Sequence, residues 1–371
     1  MRLLRWQLCH CTSRMGRLVG AQLPEQLRDW DSFTDSEGCM NSRAPACLIG
    51  IFLLALPAFA EESPALMAQK ESGTVRFQPL GDQRGIPDRY RLDAHTFSYE
   101  KKAKHDFPNS GVEVYEVRFP SPIVCECPEN NTVYAEYYSP KGKGPFPGVI
   151  VLDITGGDQS LSRTISHCLA QNQIAALFVQ MAYYGPRRPA GSKLRLLSPN
   201  IQRTMDGIRQ TVLDIRRATA WLASRAEIDP RRLGIHGTSL GSLIGAVAAE
   251  MEPRLSYVSI ALGGGGLVDA FYNHPKAAPY RKAWESVGGT KETIVRLLAP
   301  VDPVTCAANL KGRSVLMIAA KRDEIIPRKA TEALWEAAGK PRIVWYDCTH
   351  YGAALYLAPI LGQVVKHFKA E

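Results

Sequence analysis

The sequence predicts an α/β fold in which helices cover both faces of a mostly parallel central sheet. From residue 148 onward, short apolar runs typical of buried strands alternate with amphipathic segments typical of helices. The chain has 371 residues, of which 45% are hydrophobic. This is enough to bury a sizeable core in one large domain or two ordinary ones.

The first elements of the mature chain are predicted to differ from the rest. Residues 61–110 are polar and contain several Gly and Pro breakers, so we expect an irregular N-terminal arm there. The main domain is placed at residues 111–371. It begins with two alternating segments, residues 112–119 and 132–138, which predict the two strands of a hairpin.

The parallel part of the sheet follows. Residues 267–311, after the sixth strand, interrupt the alternation and are rich in proline, which predicts a cap-like insertion. The predicted strands are 148–154, 174–181, 232–236, 256–262, 314–320 and 343–347, and the predicted helices are 160–171, about 200–226, 240–250, 328–338 and about 355–369.

The N-terminal region has the pattern of an export signal. An apolar run at residues 46–56 precedes Ala58-Phe59-Ala60, an ending that suits signal peptidase, so residues 40–60 predict a signal peptide cleaved near Ala60. Met40 lies at the usual distance before such a run, which makes residues 1–39 an upstream extension; a genuine leader is the alternative. We therefore expect a periplasmic or secreted protein. The run is short for a bilayer span, so no integral membrane segment is expected in the mature chain.

Composition narrows the function classes. The net charge is +9, but the basic residues are spread along the chain, which argues against nucleic acid as a partner. An odd number of cysteines follows the signal, so at least one is unpaired in a monomer, and the pairing stays open. The Cys125-x-Cys127 pair has no second ligand pair at a useful spacing, so no metal site is expected. The five cysteines that follow the predicted signal are Cys125, Cys127, Cys168, Cys306 and Cys348.

Candidate functional residues follow the carboxyl ends of the predicted strands, where the loops of parallel sheets form sites. A serine, an acid and a histidine occur there in that order, 84 and 27 residues apart. Thr155 and Gly156 follow strand 148–154, and Ser239 follows strand 232–236. Asp323 follows strand 314–320, and His350 follows strand 343–347.

The serine lies in a G-x-S-x-G pattern, Gly237 to Gly241, between a predicted strand and a predicted helix. Glycines suit such a turn because a side chain would clash with the neighbouring elements. The backbone N–H of Leu240, at the helix start, is expected to stabilise an oxyanion. The second oxyanion donor is left open between Thr155 and Gly156.

Other polar residues near this site have alternative interpretations. His236 precedes the turn but lies on the strand, so we expect it to be packed or hydrogen-bonded rather than catalytic. Four residues of the loop after strand 174–181 are expected to be solvated near the mouth of the site, with contact to a sugar or an anionic acid as the alternative. They are Tyr183, Tyr184, Arg187 and Arg188.

These motifs resemble the α/β-hydrolase superfamily over about residues 110–371. The Asp323 to Pro327 segment, of the form D-x-x-[VI]-P, is similar to the acid loop of dienelactone-hydrolase-like and acetyl-xylan-esterase-like members. The resemblance implies Ser239 as nucleophile, His350 as general base and Asp323 as the acid that orients the imidazole. The turn after strand 148–154 departs from the His-Gly-Gly loop of many esterases.

The sequence therefore predicts an exported serine hydrolase that cleaves a carboxylic ester, on a small molecule or a carbohydrate, without a cofactor. A serine peptidase or amidase is the alternative, because it shares this chemistry. A catalytically inactive binding module is the alternative from another class. Neither the ester nor the oligomeric state is specified by the residues.

Overall fold

A computed structural model of the protein describes residues 70–156, 158–198, 200–273 and 277–370. The predicted upstream extension at 1–39 and signal peptide at 40–60 lie outside the described residues. Ten strands form one sheet: β1 Lys70–Phe77, β2 His95–Phe107, β3 Val112–Pro120, β4 Thr132–Pro140, β5 Phe146–Leu152, β6 Ala175–Val179, β7 Ile228–Thr238, β8 Leu255–Ala261, β9 Ser314–Ala320 and β10 Arg342–Tyr346. The α-helices are α1 Ser160–Gln171, α2 Ile201–Ala223, α3 Leu240–Met251, α4 Leu267–Phe271, α5 Ala278–Ser286, α6 Lys291–Leu298, α7 Arg328–Ala337 and α8 Leu357–Lys369.

The strands are ordered β1-β2-β3-β4-β6-β5-β7-β8-β9-β10. The neighbours from β1 to β4 pair antiparallel, as do β4 and β6, and every pair from β6 to β10 is parallel. The predicted fold class and the predicted hairpin, which is β3 and β4, are confirmed. The carboxyl ends of β5, β7, β9 and β10 lie at one edge of the sheet, which gathers the four predicted loops.

Helices cover both faces of the parallel part, as predicted. All residues of β5 are buried, and successive side chains point to opposite faces. Ile150 and Leu152 pack in a core with residues of α2 and α3, whereas Val149 and Val151 pack in a second core with residues of α1 and α8. Strands buried on both faces are continuously apolar, which is why the sequence predicted them well.

The prediction of an irregular N-terminal arm at residues 61–110 is wrong for residues 70–110, the part that the structure describes, because β1 and β2 belong to the sheet. The buried residues of β2 include Phe97, Tyr99 and Ala103, which alternate with exposed polar neighbours. β1 is the edge strand, and only Val75 and Phe77 of it are buried. Charged residues are common on edge strands, where they discourage pairing with other chains, and they disguise the strand pattern.

Two further boundaries differ from the predictions. The helix expected at about 200–226 ends at Ala223, and β7 starts at Ile228, so Asp229 and Pro230 lie inside a strand rather than at a helix end. The predicted insertion at 267–311 contains α4, α5 and α6. Asp302, near the end of this insertion, holds its beginning: the carboxylate accepts the backbone N–H of Gly266 at 2.8 Å.

Candidate active site

Ser239 occupies a sharp turn between β7 and α3. The strand ends at Thr238 and the helix begins at Leu240, so a single residue changes the chain direction. Ser239 has φ 51° and ψ −115°, a left-handed region that non-glycine residues rarely adopt. The turn lifts the serine side chain above the sheet edge, where it is partly exposed. Strain of this kind persists where the surrounding structure fixes it, and it is concentrated at functional sites.

The glycines of the motif are required by close packing. A Cβ on Gly237 would lie 2.1 Å from the carbonyl oxygen of Gly241. A Cβ on Gly241 would lie 2.4 Å from the carbonyl oxygen of Asp153, just after β5. Both distances are far below van der Waals contact. The turn is therefore tightly closed on itself at Gly237, and at Gly241 it is in direct backbone contact with the loop after β5.

The serine, histidine and acid predicted from the sequence lie in one hydrogen-bonded chain. The Nε2 atom of His350 is 3.0 Å from the Oγ atom of Ser239. The Nδ1 atom of the same ring is 2.8 Å and 3.0 Å from the two carboxylate oxygens of Asp323. The side chains of His350 and Asp323 are buried, with 8% and 3% of their surface exposed. In this geometry Asp323 accepts from the ring, and the opposite nitrogen faces the serine hydroxyl.

The loop after β9 holds the acid and the histidine together. One oxygen of Asp323 accepts the backbone N–H groups of Ile325 and Ile326, at 2.9 and 2.7 Å. The carboxylate of Glu324 accepts the backbone N–H of His350 at 2.8 Å. Consecutive acids in this loop therefore hold the side chain and the main chain of the same histidine. The role of Glu324 was not predicted from the sequence.

The predicted oxyanion donors lie around the serine turn. Leu240 is the first residue of α3, and the first backbone N–H groups of a helix have no partner within it. Gly156 has φ 73°, and Thr155 is exposed, in the loop whose beginning touches Gly241. Burial raises the pKa of Tyr184, whereas hydrogen bonding from the Gly156 backbone and the Thr155 side chain acts in the opposite direction. Tyr184 therefore lies against this loop.

Solved structures with the same architecture include two acetyl xylan esterases. The enzyme from Paenibacillus sp. R4 matches with a TM-score of 0.57 and 18% identity, over 72% of this chain and 88% of that one. The enzyme from Thermoanaerobacterium sp. JW/SL YS485 matches with a TM-score of 0.56 and 19% identity, over 73% of this chain and 88% of that one. The protein has the α/β-hydrolase fold. At this identity the likeness of this chain to the two esterases concerns the fold alone.

Sequence comparisons match parts of this chain to known proteins. Residues 205–343 match the model of the prolyl oligopeptidase family. An uncharacterised protein of Mycobacterium tuberculosis (strain H37Rv) is 30% identical over 39% of this chain, and the match spans only 34% of that protein's length. A second uncharacterised protein of the same strain is 24% identical over 67% of this chain and 79% of its own length. The family match concerns residues 205–343, and the two solved esterases share the fold of this chain.

A buried ion pair shapes the loop at the mouth of this α/β-hydrolase site. Arg187 was expected to be solvated, but it is fully buried and lies 2.7 Å from the carboxylate of Asp214 on α2. Its guanidinium also donates to the carbonyl oxygens of Gln180 and Asn130, at 3.0 and 2.8 Å. Ser121 donates to the other oxygen of Asp214 at 2.6 Å. Arg187 is therefore a structural residue that anchors the loop carrying Tyr184.

His236 does not face the serine. Its ring nitrogens lie 3.0 Å from the hydroxyl of Ser259 and 3.2 Å from that of Thr238. Burial, together with the nearby His367, lowers the pKa of His236 to about 4, so the ring is neutral at pH 7. The structure therefore agrees with the expectation that His236 is packed and hydrogen-bonded.

The described part of the chain contains no group of three or more His, Cys, Asp or Glu side chains placed to hold a metal ion. None of the helices within it has the length and apolar character of a membrane span. The five cysteines that follow the predicted signal are free thiols, and Cys348, two residues before His350, is buried.

Proposed function

We propose that this protein is a serine hydrolase that cleaves a carboxylic ester through an acyl-enzyme on Ser239, with His350 as general base and Asp323 as orienting acid. The observation that carries the proposal is the hydrogen-bonded chain from Ser239 through His350 to Asp323. A strained serine at a strand-to-helix turn, paired with a base that a third group orients, is the arrangement expected of an activated nucleophile.

The chemistry follows from the atoms that face each other. The Oγ atom of Ser239 attacks the ester carbon while its proton passes to Nε2 of His350, and Asp323 stabilises the resulting imidazolium. The oxyanion accepts hydrogen bonds from the backbone N–H of Leu240 and from a second N–H in the Thr155–Gly156 turn. Collapse of the tetrahedral intermediate releases the alcohol, which takes the proton from Nε2. Water activated by His350 then hydrolyses the acyl-enzyme.

The proposal takes an ester rather than a peptide as the substrate, since the Asp323 to Pro327 segment resembles the acid loop of acetyl-xylan-esterase-like members and the two solved structures described above are named acetyl xylan esterases. The corresponding substrate class here is an ester of a small molecule or a carbohydrate. A peptidase is the second candidate, on the specific ground that residues 205–343 match the prolyl oligopeptidase family. Export is part of the proposal and rests on the signal pattern ending at Ala60.

The test compares the purified protein with its Ser239→Ala variant on p-nitrophenyl acetate and on a prolyl p-nitroanilide. We expect ester hydrolysis by the wild type, loss of it in the variant, and no amide hydrolysis. A fluorophosphonate probe should label Ser239, as located by mass spectrometry, and Ser286→Ala, at an exposed serine on α5, should leave labelling unchanged. Labelling of another serine would contradict the mechanism, and faster cleavage of the anilide would favour the peptidase.

Export is tested separately by sequencing the N-terminus of the protein recovered from the periplasm or the medium of an expressing bacterium. We expect a start at Glu61. An uncleaved cytosolic protein would contradict export without affecting the proposed chemistry.

A further inference from the structure

The helix that follows His350 exposes apolar side chains beside the site. Tyr351 and Leu355 lie on a 3-10 helix, Tyr351–Tyr356, with 69% and 74% of their surface exposed. The exposed residues between them and at the start of α8 are also uncharged, and the next charged residue is Lys366. Apolar side chains exposed together, next to a polar site, mark surfaces that contact a ligand or a partner.

Tyr351 is coupled in space to the proposed base. The ring centroids of Tyr351 and His350 are 5.6 Å apart, and the ring planes are inclined at 80°. The histidine side chain is buried, whereas the tyrosine next to it projects into solvent. Tyr351 is therefore an exposed aromatic ring in direct contact with the proposed base.

The proposed mechanism determines which part of a substrate lies near Tyr351. The alcohol oxygen must lie near Nε2 of His350, because it takes its proton from that atom when it leaves. The remainder of the alcohol then extends on the side of His350 that leads to solvent. An aromatic ring on that side offers a broad contact to a ring with an apolar or polarised C–H face.

We infer that Tyr351, assisted by Leu355, forms a platform for a neutral ring in the alcohol portion of the ester and makes the enzyme selective for ring-bearing alcohols. This inference rests on the proposed function. A ring face is shared by benzylic alcohols and by sugars.

The test measures selectivity, as the ratio of kcat/KM for a ring-bearing acetate to kcat/KM for methyl acetate. Benzyl acetate and an O-acetylated methyl xylopyranoside serve as the two ring-bearing substrates. We expect Tyr351→Ser to lower the ratio roughly five- to thirtyfold for at least one of them, mainly through KM. Leu355→Ser should lower it less, and Tyr351→Phe should preserve it. The substrate whose ratio falls identifies the source of the ring.

The matched control is Leu80→Ser. Leu80 is also an exposed large hydrophobic residue, at 58%, but it lines a cavity shared with Glu250, near the C-terminal end of α3. Ser239 lies at the opposite end of that helix, about 16 Å from Glu250 by the helix rise. The control should leave kcat/KM for all three acetates, and therefore both ratios, unchanged.

Two results would overturn the inference while leaving the proposed function intact. In the first, Tyr351→Ser leaves kcat/KM for all three acetates, and therefore both ratios, at the wild-type values. In the second, all three acetates lose activity equally, which would make Tyr351 a positioning residue for His350. A wild-type protein that hydrolyses no ester would instead refute the proposed function itself.

Discussion

Glu324 holds the main chain of His350: its carboxylate accepts the histidine backbone N–H at 2.8 Å, while Asp323 accepts the ring of the same residue. The two acids are consecutive, so the loop after β9 fixes both the position and the rotation of the imidazole. Glu324 itself is exposed, and it makes no contact with a reacting atom in the proposed mechanism.

Removal of the Glu324 acceptor should therefore reduce the rate without removing the chemistry. We expect Glu324→Ala to lower kcat roughly ten- to hundredfold at a nearly constant KM, because a small displacement of a catalytic group is costly. Glu324→Gln keeps an acceptor oxygen and should retain most of the rate. Steady-state kinetics on p-nitrophenyl acetate measure both. The control, Glu332→Ala on α7, should match the wild type, and equal losses in the Ala and Gln variants would show that charge rather than position matters.

The left-handed backbone of Ser239 predicts that glycine at this position gives a more stable protein than alanine does. Both Ser239→Ala and Ser239→Gly should be inactive, but glycine adopts φ 51° without strain. After allowing for the greater freedom of glycine in the unfolded chain, we expect Ser239→Gly to exceed Ser239→Ala by about 1 kcal/mol in free energy of unfolding. Urea denaturation measures the difference. Ala246→Gly, inside α3, should instead lose at least about 1 kcal/mol, and a less stable Ser239→Gly would show that the turn stores little strain.

The buried pair of Arg187 and Asp214 should be important for stability. Asp214→Asn leaves the arginine charge buried without a counter-ion, so we expect a loss of about 3–5 kcal/mol in free energy of unfolding. The double variant Arg187→Met/Asp214→Leu should lose less, because neither charge remains. Arg84→Met breaks an exposed pair with Asp82 and should lose less than about 1 kcal/mol. A loss in Asp214→Asn as small as in Arg84→Met would contradict this role.

Buried histidines predict a loss of stability in acid. Burial lowers the pKa of His367 to about 4, from an ordinary value of 6.5. Between these values the unfolded chain binds a proton that the folded protein does not, so stability falls as pH decreases from 6.5 to 4. Relative to His367→Phe, the wild type should lose about 2–3 kcal/mol over this range.

The comparison with His367→Phe is necessary because burial raises the pKa of Asp214 and Glu250, which favours the folded state in acid. Phenylalanine keeps an aromatic ring against Tyr257 and Phe368, which the histidine ring contacts. Urea denaturation at several pH values gives both curves. Parallel curves would show that His367 does not titrate in this range.

The elements that the sequence predicted best are those whose surroundings impose a regular pattern. Buried parallel strands are continuously apolar, so β5 to β9 were recognised, and their order placed Ser239, Asp323 and His350 at one edge of the sheet. The edge strand β1 was missed because most of its residues are exposed, and the breakers between β1 and β2 made the region appear irregular.

Contacts between distant residues could not be predicted in this way. The counter-ion of Arg187 is 27 residues away on a helix, and nothing in its loop distinguishes a buried arginine from a solvated one. The contact between Glu324 and the backbone of His350 depends on how two loops meet, which no local pattern encodes. The role of Tyr351 was not predicted, because exposure is a property of the folded surface.

The clash distances at Gly237 and Gly241 also bear on how such an enzyme can diversify. A methyl group at Gly237 would clash within the serine turn, and one at Gly241 would separate the turn from the loop after β5, so neither glycine can be replaced without disrupting the turn. The exposed helix after His350 carries no such constraint, since Tyr351 and Leu355 face solvent. New substrate preferences can therefore arise among descendants of this protein by changes in that helix, while the reacting groups are inherited unchanged.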